Sequence, residues 1–170
     1  MNFSIKEFLI ALIFVPLLTL SCFGNSPDSY FPKGCVSRDF EYKNNNLILE
    51  INSSEQSLYL FHNISDTDYW VNHPVTQDPG VSAGWASILN RGQWSALAIY
   101  QSSDSDNFAI SCETMGKDGK LTYHDCQDVL KTCEIENAVF KTGDKGSYWV
   151  AENQSLSVLV KTIKSRNITW

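Results

Sequence analysis

The five cysteines carry the most definite chemistry in this sequence. Four of them, Cys35, Cys112, Cys126 and Cys133, lie beyond an apolar N-terminal run, and an even number in an exported chain reads as two disulfides. Zinc is the competing use of four thiolates, but structural zinc sites usually contribute paired CxxC ligands. The intervals here, 76, 13 and 6 intervening residues, contain no such pair. Two staples are therefore expected, and no metal.

The remaining candidates are weaker. Of the three histidines, His62, His73 and His124, none falls in HExxH or another close ligand pair. His124-Asp125 is the one His–carboxylate neighbour pair, yet adjacent strand residues point to opposite faces, and no GxSxG elbow supplies a nucleophile. Glu50, Glu55 and Glu113 offer no pattern specific to glycoside hydrolysis. No catalytic residue and no cofactor is expected, and the chain is read as a non-enzyme.

The acidic loop Asp104-Ser105-Asp106-Asn107 invites calcium, with Asp66 and Asp68 as a second pair. The EF-hand pattern fails, because Ala109 stands at the glycine position and Met115 at the bidentate glutamate position. Among the five tryptophans, Trp94 and Trp149 lie within strand patterns and are expected in the core. Trp85, beside Gly84 and after a Pro/Gly loop, is the candidate for exposure. Trp85, Asp104 and Asp106 thus form the candidate ligand-binding set, suited to stacking on a sugar ring. Four formal N-glycosylation sequons begin at Asn52, Asn63, Asn153 and Asn167.

Phe8 to Leu20 is a 13-residue run interrupted only by Pro16 and Thr19 and free of charge. A membrane span needs about 20 apolar residues, so this run fits a signal-peptide core better than an anchor. A buried N-terminal helix is disfavoured by the same length argument. Small residues before Asn25 suit cleavage after residue 24. Cys22 offers the alternative of lipidation, although Thr19 stands where an aliphatic residue is usual.

Removal of residues 1–24 takes one Lys and one Glu, so the charge stays at −6. An acidic domain repels phosphate backbones, which argues against nucleic acid and against adsorption to anionic lipid.

Residues 25–33 read as an extended lead-in to a single domain over 34–170. Short apolar runs separated by turn signals then indicate an all-β sandwich or barrel, mostly antiparallel. Strands are expected over 47–51, 57–62, 68–71, 84–89, 94–100, 108–113, 138–141 and 147–151. In Ser57–His62 both faces are apolar, which predicts a strand covered on both sides. Residues 125–132 are expected to form a short helix or turn. Ser155 should cap a closing helix carrying Leu156, Leu159, Val160 and Ile163, and Trp170 should pack.

Asp118-Gly119 is the best local hairpin signal, read as a two-residue type I′ turn. That closure places Cys112 opposite Asp125, next to Cys126. It predicts Cys112–Cys126, leaving Cys35–Cys133 to staple the N-terminal segment to the same region. A Cys126–Cys133 link would exclude this pairing.

Several segments stand together: Gly34-Cys35, Asn44 to Leu49, Leu58 to Asn63, Trp94-Ser95-Ala96-Leu97, the Cys126-x-Asp128-Val129-Leu130-x-x-Cys133 unit, Gly146-x-Tyr148-Trp149-Val150 and the terminal Trp170. In these the chain resembles the enhanced-entry protein B (EnhB) family of exported proteins from intracellular bacterial pathogens such as Legionella and Coxiella. The likeness spans most of residues 34–170, and its cysteine unit and Tyr-Trp-Val segment are its more specific parts. It implies a periplasmic, surface or secreted bacterial protein associated with host-cell entry or intracellular survival, and it carries over no catalytic residue. The expected function is binding of a protein partner in the envelope or host. A carbohydrate-binding module, with or without calcium, is the first alternative and a cell-wall-directed hydrolase the second.

Overall fold

Two consecutive asparagines in the left-handed region set the first hairpin. In the computed structural model, which describes residues 30–49, 56–73, 86–100, 108–141 and 148–170, β1 (Cys35–Val36) is followed by β2 (Glu41–Lys43) and β3 (Asn46–Leu49). Asn44 (φ 52°) and Asn45 (φ 68°) form the two-residue turn between β2 and β3. Positive φ at both positions is the type I′ geometry, which asparagine tolerates.

The chain continues through β4 (Ser57–Asn63), β5 (Tyr69–Asn72), β6 (Ala86–Leu89), β7 (Trp94–Ile99), β8 (Phe108–Met115) and β9 (Leu121–His124). After α1 (Cys126–Val129) come β10 (Leu130–Ile135), β11 (Val139–Phe140), β12 (Tyr148–Gln154), α2 (Leu156–Ser165) and β13 (Ile168–Thr169). Every strand pair is antiparallel. The expected all-β fold with a short C-terminal helix is present.

One sheet has the order β1-β10-β4-β7-β12 and the other β2-β3-β8-β5-β6, with β9 also on β8. The first sheet is the middle layer. From β4, Tyr59 and Phe61 enter the core shared with the second sheet, beside Leu47, Leu49, Val71, Leu89 and Ile110. Leu58 and Leu60 point the other way, into a core closed by Leu159 and Ile163 of α2 and by Phe140 and Ile168 of the β11–β13 ribbon. This is why β4 is apolar at both phases. On the helix side β7 presents Ala96 and Ala98 opposite Leu60 and Leu58; small residues there leave volume for α2.

Helix α2 follows its expected apolar spacing, with Leu159 and Ile163 buried. Ser155 stands at the N-cap position, but its side chain caps nothing and faces Ser157 Oγ at 3.4 Å. Trp94 is buried, whereas Trp149 and Trp170 are partly buried against the helix-side core. Trp170 Nε1 donates to Lys33 O at 2.9 Å. A Cβ on Gly34 (φ 88°) would lie 2.9 Å from Trp170 Cδ1, so both the dihedral and the close approach require glycine.

Both expected disulfides form, Cys35–Cys133 between β1 and β10, and Cys112–Cys126 between β8 and α1. The hairpin that suggested the second differs from expectation. Gly119 (φ 77°) is left-handed and Asp118 is not. Gly119 N donates to Gly116 O and Gly116 N to Lys120 O, a three-residue loop in which a left-handed glycine closes the turn. The register therefore shifts by one, placing Cys112 opposite His124. Cys126 still reaches Cys112, because Asp125 accepts Gln127 N at 2.9 Å and starts α1 there.

Residues 1–24, and with them the export signal and Cys22, lie outside the described residues. Among the described residues no helix is long and apolar enough to cross a membrane.

Candidate functional site

Trp85, Asp104 and Asp106 lie outside the described residues, as do Glu50 and Glu55. The candidate site built by the described residues is the outward face of the second sheet. On β8, Phe108, Ile110 and Cys112 point into the inter-sheet core. Period-two alternation then turns Ala109, Ser111, Glu113 and Met115 outward. On β5, Tyr69 and Val71 are inside, so Trp70 and Asn72 are outside.

Register then sets the neighbours. Ile88 pairs with Trp70, Trp70 with Glu113, and Glu113 with Tyr123, giving one row across β6, β5, β8 and β9. Met115 and Leu121 pair one step along the same face. Ile88 is 43% exposed, Met115 57%, Leu121 45% and Tyr123 62%, whereas Glu113 is only 5% exposed. Directly opposed side chains sit about 5 Å apart at Cβ, so the row is contiguous.

Polar groups on this face are sparse. Ser111 Oγ donates to Glu113 Oε1 at 2.6 Å. Asn72 Oδ1 is buried without a hydrogen-bond partner. Beside Trp70 opens a cavity of about 450 Å³ lined also by Asp68, Ile88, Asn90, Thr114 and Met115, with no Lys or Arg in its wall. Asp68 stands at its rim and accepts Arg91 N at 2.9 Å. A second concavity of about 600 Å³ beside Trp170 is lined by charges of both signs, Lys33, Lys164 and Glu136.

The histidines take structural roles. His73 Nδ1 lies 2.8 Å from Ala109 O, with its ring stacked on Phe108. His124 Nε2 lies 2.8 Å from Thr114 Oγ1, edge-on to Tyr69. His62 stacks on Trp94, with ring centroids 4.3 Å apart. Burial holds His62 below the ordinary imidazole range; a hydrogen bond with the Gly92 backbone opposes this and Lys131 adds to it.

A depressed pKa means that the unfolded chain takes up this proton first as pH falls. His62 therefore contributes stability that is full above about pH 6.5 and declines as pH drops through the folded-state pKa. Denaturant midpoints near neutrality and near pH 5 should show this decline in the wild type and a smaller one in His62→Gln.

Among the described residues no three His, Cys, Asp or Glu side chains are grouped to hold a metal ion. Sequence reading passed over Trp70, Met115, Leu121 and Tyr123. The available signal was phase: Tyr69 and Val71 claim the inner face, so an indole between them must face outward. No family model, no curated protein and no solved structure matches this chain.

Proposed function

We propose that this chain is an exported, non-enzymatic β-domain of a bacterial envelope that binds a protein partner through the outward face of its second sheet. The observation that carries this reading is the row Ile88–Trp70–Glu113–Tyr123 with Met115 and Leu121 beside it. Contiguous exposed apolar side chains mark interaction surfaces, and Trp, Tyr and Met are the types enriched in them.

Two disulfides suit an oxidising compartment outside the cytoplasm. The resemblance to the enhanced-entry family supports a role in host-cell entry or intracellular survival. Trp70 beside Asp68 and Asn90 in one cavity favours a carbohydrate as the second reading.

The test places a photo-cross-linking phenylalanine analogue at position 123 in producing cells, with position 139 on the β11–β13 ribbon as the exposed control. One defined protein adduct at 123, absent at 139, is the expected result. Equal labelling at the two positions removes the reading.

A further inference from the structure

Glu113 is the one acidic side chain of the row, and it is nearly enclosed. Ser111 Oγ is the hydrogen-bond donor it finds among the described residues, through one oxygen only. A carboxylate withdrawn from water is costly unless an opposite charge or several donors meet it. None of the outward positions of β5, β6, β8 and β9 is Lys or Arg. This leaves a carboxylate flanked by aromatic rings, Trp70 on one strand and Tyr123 on the other.

The chemistry of what is missing is specific. Aromatic faces attract cations. The groups to be met are acceptors: Glu113, whose Oε1 takes the Ser111 hydroxyl, and Asn72 Oδ1, which is buried without a partner and neighbours Ser111 on the same face. A sugar hydroxyl both donates and accepts, whereas a guanidinium only donates, in a planar fork that matches a carboxylate and stacks on aromatic rings.

We propose that the Trp70–Glu113–Tyr123 row receives an arginine side chain presented by the protein partner. The guanidinium meets Glu113 between the two rings, while Ile88 and Met115 receive apolar neighbours of that arginine. The proposal rests on the reading of this face as the recognition surface and names the chemistry it selects. The net charge of −6 favours the approach of such a partner.

The experiment titrates the disulfide-bonded chain, purified after export, with the peptide Ac-Leu-Arg-Leu-NH₂ and with its neutral citrulline analogue. The readouts are the Trp70 indole N–H and Glu113 amide resonances. Saturable shifts at both are expected with arginine. Affinity should fall about tenfold or more with citrulline, and by a similar factor in Glu113→Gln. Tyr123→Ala, at an exposed position, is the second variant should Glu113→Gln fold poorly, and severalfold weakening is expected there.

Equal affinity for the two peptides overturns the proposal, as do wild-type affinities in both variants or absence of any shift at millimolar peptide. Saturation of the same resonances by chito-oligosaccharides, without response to the arginine peptide, overturns it in favour of a glycan. A position-123 protein adduct with no arginine response removes the arginine while leaving the recognition surface standing. Loss of the adduct removes the surface itself.

Discussion

Replacing Cys35 and Cys133 together by alanine is expected to lower the unfolding free energy by about 4 kcal/mol, more than any single surface change. The two residues lie 98 apart in sequence, against 14 for Cys112 and Cys126. Closing the longer loop removes more freedom from the unfolded chain, and the corresponding figure for the shorter is about 3 kcal/mol. Local structure adds to the difference. Strand β1 has two residues, pairing Cys35 with Ile135 and Val36 with Glu134, and so short an edge strand cannot hold itself. The Arg38–Glu134 ion pair nearby, at 3.0 Å, joins an exposed guanidinium to a half-buried carboxylate and adds only modestly. The disulfide therefore fastens the segment that brings Gly34 under Trp170 and Phe31 edge-on to Trp94. Denaturant unfolding of the two double-alanine variants checks this. A smaller loss for Cys35/Cys133 than for Cys112/Cys126 would contradict it.

Those staples were legible because cysteine pairing needs only parity, compartment and an approximate turn. The approximate turn sufficed: a one-residue register error in β8–β9 left Cys112 and Cys126 close enough to bond. The turn type itself was less legible. Asp118-Gly119 carries the commoner type I′ signature, but Gly116 and Lys120 close the ladder one step further out. The type I′ turn falls instead at Asn44-Asn45.

Strand β4 announced its two buried faces through four consecutive apolar or aromatic positions, Leu58 to Phe61, among its six expected residues. Strand β10 did not. Lys131 and Glu134 interrupt its alternation and α1 ends immediately before it, so a helix or turn was expected where a central strand begins. The candidate surface was obscured for a related reason. An aromatic residue within a strand pattern reads as core, and the phase that turns Trp70 away from it is fixed by the burial of Tyr69 and Val71 once β5 pairs with β6 and β8.

Asn63 gives the second large effect, and it concerns the same surface. It is fully buried, and its amide uses four hydrogen bonds. Nδ2 donates to Thr67 O at 2.8 Å and Leu89 O at 2.9 Å, while Oδ1 accepts Ser65 N at 3.0 Å and Ser65 Oγ at 2.7 Å. Both amide hydrogens are engaged in a site closed to water, so a glycan on this nitrogen is incompatible with the observed packing.

In Asn63→Asp, a carboxylate oxygen replaces the NH₂ group and faces two carbonyl oxygens in a site closed to water. The expected loss at neutral pH is about 4 kcal/mol. Below the unfolded carboxyl pKa of about 3.9, the protonated acid donates to one of those carbonyls. The new group prefers its neutral form in the folded state, so its folded pKa is raised. The deficit relative to wild type therefore grows as pH rises from about 3.9 and shrinks on acidification. Thermal or denaturant unfolding of both chains near pH 3 and pH 7 reads this directly, and a pH-independent deficit would argue against it. Because the loop fastened by Asn63 leads directly into Asp68 and Trp70, the same variant should also weaken arginine-peptide binding at neutral pH.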